Sequence, residues 1–140
     1  MTGTELTEEE VLTAAAGVVA AFGATRTRAY FDCFTEDATF VFHTEARRLD
    51  SRADYEQLWA GWLDDGWQVT ACVSSNQRVQ LMGPVVVLTH DVQTTTSTGG
   101  VPETTQERET IVFRRLPTGI LAIHEHLSPT PDDSPEESAP

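Results

Sequence analysis

From Trp67 to Leu127 the chain runs with a period of two, interrupted only by turn signals. Four stretches fit β-strands: Gln68 to Met82, Val85 to Ser97, Thr104 to Arg115 and Ile120 to Leu127. Between them lie Gly83-Pro84, then Gly99-Gly100 with Pro102, then Pro117-Thr118-Gly119. Alternation of apolar and polar residues marks strands with one buried face, and Gly/Pro clusters mark the reversals. Consecutive strands joined by short turns form an antiparallel meander, and its apolar face must be covered by something else in the chain.

The N-terminal half supplies the cover. Thr7 and Glu10 have capping-box spacing, and Val11, Leu12, Ala15, Val18, Val19 and Phe22 then repeat at helical intervals up to Gly23. A second helix fits Arg26 to Phe34, with Ala29, Tyr30, Cys33 and Phe34 on one side. Asp37 to Thr44 is a strand in which Phe40 and Phe42 share a face. Ser51 to Asp54 is a second capping box, opening a helix whose Tyr55, Leu58, Trp59, Trp62 and Leu63 form a broad aromatic stripe before Gly66. The expected fold is α+β: a cone-shaped, curved antiparallel (mixed) sheet wrapped around three N-terminal helices. An apolar cone suits a small ligand. The domain is expected over residues 7–128, with disorder at 1–6 and in the acidic, Pro-rich 129–140.

Charge narrows the partners. The net charge is -13, and all nine basic residues are Arg. That argues against nucleic acid and anionic membranes. No run is long enough to span a bilayer, and no leader pattern is visible, so a cytoplasmic location is expected. Cys33 and Cys72 are far apart in sequence and read as buried thiols. No Gly-rich phosphate loop or Cys/His cluster occurs, so neither cofactor nor metal is expected. The expected partners are a hydrophobic small molecule and further copies of the chain, in a homodimer or higher homo-oligomer built on the outer sheet face.

The ionisable chemistry gathers in the last strand, Gly119 to Ser128. Strict alternation puts Leu121, Ile123, Glu125 and Leu127 on one face and Ala122, His124 and His126 on the other. A carboxylate among Leu and Ile either has a partner, such as Arg108 or Arg114 across the sheet, or carries a raised pKa and serves as a general acid or base. His124 and His126 have a spacing compatible with a strand-built metal site, but only His90 or Asp91 could add a ligand, and an interface or pocket role fits them better. One of His90 and Asp91 must point inward, as a pocket candidate or in a cross-strand pair with Arg108 or Glu109. Glu109, Ile111 and Phe113 share the face of Leu127, while Arg108, Thr110 and Arg114 take the other. Tyr30, Phe42, Trp59 and Trp62 belong to the core and, in a cone, to the pocket wall; the Tyr30 hydroxyl wants a partner when buried.

Several segments resemble the nuclear transport factor 2-like superfamily, within it the SnoaL-like domains and the association (hub) domain of calcium/calmodulin-dependent protein kinase II. They are Val79 to Gly83, Gly99 to Pro102, Thr105-Gln106 with Glu109-Thr110, Val112 with Arg114-Arg115, and Ile123 to Ser128, preceded by Arg28 to Tyr30 and Thr39 to Glu45. The likeness implies the cone fold over about residues 8–128. The hub's cleft arginines fall at Asp91, Ile111 and Leu127, none basic. The acid and phenol positions of the related ketosteroid isomerases fall at Phe42, Val18 and Ile111, where those groups are missing. The polyketide cyclases of the SnoaL type place an acidic acid/base at or beside Glu125 or His126. The resemblance thus implies a cofactor-free cyclase or isomerase acting by proton transfer on an oxygenated, polyketide-like metabolite, with Glu125 or His126 catalytic and Tyr30 and His90 orienting. The other reading is a non-catalytic oligomerisation or ligand-sensing module like the hub.

Overall fold

A computed structural model describes residues 6–131. The elements run α1 (Glu8–Gly23), α2 (Thr27–Phe31), β1 (Phe34–Phe42), α3 (Arg52–Asp64), β2 (Trp67–Met82), β3 (Val85–Thr98), β4 (Val101–Leu116) and β5 (Gly119–Pro129). The five strands form one sheet in the order β1-β5-β4-β3-β2. The meander β2 to β5 is antiparallel, while β1 lies parallel to β5 and makes the sheet mixed. The sheet curves around the helices without closing, so β1 and β2 remain edges. This is the expected α+β cone.

Both predicted helix starts form. Thr7 Oγ1 accepts from the Glu10 amide and the Glu10 carboxylate accepts from the Thr7 amide, at 3.1 and 3.0 Å. At α3 only half the box closes. Ser51 Oγ accepts from the Asp54 amide, while the Asp54 carboxylate turns back to the Asp50 amide.

The second helix is shorter than its pattern suggested. It ends at Phe31 because the Cys33 carbonyl accepts the Ala122 amide of β5 at 2.8 Å, drawing the following residues into β1. Sheet pairing outweighs local helical preference here. Phe34 therefore opens a strand, fully buried, and does not close a helix.

Strict alternation also fails once in β5. Val112 pairs with His124 but the next residue, Phe113, pairs with Ala122, so Ile123 is the extra residue of a β-bulge. The bulge flips the face. Ala122, not Leu121, joins Glu125 and Leu127 inside, and Ala122 is fully buried in the core. The core is aromatic: Tyr30, Phe31, Phe34, Phe40, Tyr55 and Trp59 pack with ring centroids about 5–6 Å apart, mostly edge to face.

The described chain extends past the expected domain limits. Leu6 is buried against the core, Pro129 ends β5, and the Thr130 amide donates to the Gln106 carbonyl. The rest of the segments expected to be disordered, 1–5 and 132–140, lie outside the described residues.

Candidate functional site

The concave face of the sheet and the three helices enclose a cavity of about 310 Å³. Val18, Val19 and Phe22 of α1 form one wall, and Tyr55, Trp62 and Trp67 form the aromatic side. Phe42 and Leu127 close the far side. β3 contributes Val92, Thr94 and Thr96, and β2 contributes Cys72. The period of two along β4 delivers Glu103, Thr105, Glu107 and Glu109 to the same face, running from the exposed strand tip to the interior.

Glu125 lies on the inner face at 4% exposure, with Ile111 opposite it on β4. No Arg meets it: Arg108 and Arg114 occupy exposed positions on β4, so the cross-sheet ion pair does not form. Its partners are Glu109 and Tyr30. Tyr30 donates its hydroxyl to Glu125 Oε1 at 3.5 Å, and Tyr30 and Tyr55 join hydroxyls at 3.0 Å. With the Tyr30 proton directed to Glu125, Tyr55 is the donor of that pair. Burial, then the charge of Glu109 and a hydrogen bond to it, push the Glu125 carboxyl well above the usual range. Burial also raises Glu109, and both phenols are pushed up by burial. Two carboxyls in one dry site cannot both ionise cheaply, and Glu125, pushed up further than Glu109, is the one that keeps its proton more readily.

Behind Glu109 the chain of bonds continues through the sheet. His90 Nε2 lies 2.7 Å from Glu109 Oε1 and His90 Nδ1 lies 2.6 Å from Ser74 Oγ. Burial lowers the His90 pKa, so the ring is neutral. A carboxylate can only accept, which fixes the proton on Nε2 and leaves Nδ1 to accept from Ser74. Gln77 Nε2 in turn donates to Ser74 Oγ at 3.0 Å. The whole array, Tyr55, Tyr30, Glu125, Glu109, His90, Ser74 and Gln77, has consistent donors and acceptors.

Of the residues singled out in the sequence, Tyr30, Phe42, Trp62, Glu109 and Glu125 line the cavity, and His90 stands directly behind it. Trp59 lies deeper, buried in the core with its indole N–H donating to Thr27 Oγ1. Asp91, next to inward His90, takes the opposite face and accepts from Asn76. His124 bonds Thr39 Oγ1 at 2.8 Å, and His126 is exposed, both off the cavity because they alternate with Glu125. Sequence reasoning missed Tyr55 as a hydroxyl donor, Cys72, and the Glu103–Glu107 line. The alternating acids of β4 were the available signal for the last.

A family model described as a SnoaL-like domain matches residues 11–132. The chain belongs to the SnoaL-like family. No curated protein matches it. Among solved structures it is similar to a nuclear transport factor 2-like superfamily protein from Salmonella enterica, with TM-score 0.77, 14% identity, and coverage of 92% of this chain and 94% of that one. A putative calcium/calmodulin-dependent kinase II association domain from Exiguobacterium sibiricum gives 0.74 and 15%, covering 92% and 98%. A ketosteroid isomerase-like protein from Erwinia carotovora atroseptica gives 0.73 and 15%, covering 91% and 100%. At these identities the likeness establishes the nuclear transport factor 2-like fold. Among the described residues no helix is long and apolar enough to cross a membrane.

Proposed function

We propose that the cavity of this SnoaL-like protein binds a compact, largely apolar molecule bearing a carbonyl group and moves a proton at the carbon beside it, as a cofactor-free cyclase or isomerase does. The observation that carries this reading is the Glu125–Glu109 pair: two buried carboxyls in one cavity, both pushed up by burial, Glu125 further than Glu109. Such a divergence assigns acid and base roles. Protonated Glu125 turns its O–H from Glu109 to the substrate oxygen and stabilises the enolate charge as it develops. Glu109, accepting from the His90 N–H, takes the proton from the adjacent carbon. Tyr30 and Tyr55 hold Glu125 in place, and the aromatic walls exclude water. His126, exposed on the other face, has no part in this scheme. A polyketide-like substrate fits the apolar, hydroxyl-dotted walls, and the likeness to an isomerase-like structure supports proton transfer as the class.

The test is exchange of the α-hydrogens of 2-tetralone for deuterium, followed by NMR in D2O. Wild-type protein should accelerate exchange over buffer, and Glu125→Gln should lose about 100-fold or more of that acceleration. Exchange no faster than buffer with 2-tetralone or other aromatic ketones would sink the catalytic reading.

The alternative, a non-catalytic self-associating module, is favoured by one observation: Val73, Leu81 and Met82 of the edge strand β2 are at least half exposed. Mass measurement by light scattering decides the oligomeric half of that reading, with a monomer at all concentrations counting against it.

A further inference from the structure

The cavity is sorted by charge as well as by shape. Its lining holds five carboxyl groups and, among the described residues, no Arg and no His. An acidic line alone would be no more than a solvated face, but two further features accompany it. Glu109 and Glu125 form a buried pair whose partners are all uncharged: two phenols and a neutral imidazole. A buried carboxylate without a cation is costly and is relieved by one. Beside the pair stand aromatic rings of Tyr55, Trp62 and Trp67, and cations sit favourably on such faces.

We infer that the molecule this cavity takes is an organic cation: a compact aromatic or alicyclic amine whose ammonium group lies between the Glu107–Glu109 wall and the tryptophan faces. This deepens the proposed function, since it adds a basic amine to the carbonyl compound proposed there, and rests on the same cavity. Glu103, at the exposed tip of β4, and Glu107 then form an approach of matching sign. The same field disfavours anionic ligands such as carboxylates and phosphates.

Binding has a proton signature. The titratable groups that share the cavity with Glu125 are Glu103, Glu107 and Glu109 from β4, Glu45 from the loop after β1, Cys72 from β2, Tyr30 from α2 and Tyr55 from α3, with His90 of β3 on Glu109 and His43 on Glu107 at 2.6 Å; α1 lines it with apolar side chains. An ammonium beside Glu109 favours the carboxylate form of that residue and leaves Glu125 its proton, so affinity falls as pH drops through the Glu109 titration.

The experiment compares three molecules of one shape, tryptamine, tryptophol and indole-3-acetate, by isothermal titration calorimetry at neutral and mildly acidic pH. Tryptamine is expected to bind at neutral pH at least about tenfold more tightly than tryptophol, a difference of about 1.4 kcal/mol, and to lose that advantage at the lower pH. Indole-3-acetate is expected to bind most weakly. The double variant E103Q/E107Q should narrow the preference for tryptamine over tryptophol. Equal or weaker binding of tryptamine overturns the inference, as does failure of all three to bind. The 2-tetralone exchange is independent of this outcome. Exchange that depends on Glu125 without an amine preference leaves the catalytic reading standing alone. An amine preference without exchange leaves the ligand class standing and removes the reaction.

Discussion

At the residue scale, Glu125 links the chemistry to stability. Its folded pKa is raised, so its contribution to stability is complete below the ordinary carboxyl range and is lost as pH rises through the elevated value. Wild-type stability is therefore expected to fall with rising pH over that interval, by up to about 1.4 kcal/mol per pH unit for one proton. Glu125→Gln keeps a donor for Glu109 without a proton to lose. Urea unfolding of this variant across pH should show a flatter slope and equal or greater stability at neutral pH; an unchanged slope would place the proton elsewhere. Cys72 gives a second expectation. Burial raises its thiol to about 11, with a hydroxyl partner in Thr94 at 3.8 Å. At neutral pH it should react with an aromatic disulfide reagent at least about tenfold slower than a free cysteine, since only the thiolate attacks. A cavity ligand should slow it further. Glu125 stood out in the sequence as an acid among apolar residues, and His90 as a polar residue in a buried run. Glu109 was legible as a cross-strand partner for His90; the link onward to Glu125 was not, because the meeting of Tyr30 with Glu125 depends on register and on the helix packed above.

At the scale of elements, the strands and turns were legible because period and punctuation agree over the whole meander. What local pattern could not supply was pairing between distant segments. The Cys33 carbonyl ends α2 early because Ala122, far along the chain, is its partner. The bulge at Ile123 arises in the same way, from the register of β4 against β5. A third long-range link fixes α1 to the sheet. Thr25 sits at φ 54°, a conformation β-branched residues avoid, and its hydroxyl both donates to the Val69 carbonyl and accepts from the Val69 amide at 2.7 Å. Two bonds to the buried Val69 backbone offset the strain. Thr25→Ala removes both bonds and keeps the strained backbone, so a loss of about 2 kcal/mol is expected in urea unfolding. Thr25→Gly loses the same bonds but relaxes the left-handed residue, and should cost about 1 kcal/mol less than the alanine variant. Equal costs would mean that the backbone there is not under strain.

Across the whole molecule, acid outweighs base by 22 residues to 9, and the structure does not neutralise the excess. The ion pairs that form are mostly at the surface: Arg28 with Glu56 and Arg115 with Glu10, both at about 2.7–2.8 Å, with partly exposed side chains. Exposed pairs of this kind contribute about 0–1 kcal/mol each and weaken in salt. Against them stands the mutual repulsion of the excess carboxylates, three of them along one wall of β4: Glu103, Glu107 with His43 at 2.6 Å, and Glu109 with His90 at 2.7 Å. The two effects respond to salt in opposite directions. Between about 0.01 and 1 M monovalent salt the screening length falls from about 30 to 3 Å, which removes longer-range repulsion before it touches pairs in contact. Repulsion spread over the molecule is thus the larger quantity, and the melting temperature should rise with sodium chloride across this range. Along the cavity wall the same screening acts on the ligand, so tryptamine affinity should fall over the salt range in which stability rises, while tryptophol affinity holds. A melting temperature that drops with salt would show that the few ion pairs outweigh the dispersed charge. The acidic wall would then be neutralised within the fold, and the field that admits a cation would be weaker than its five carboxyls suggest.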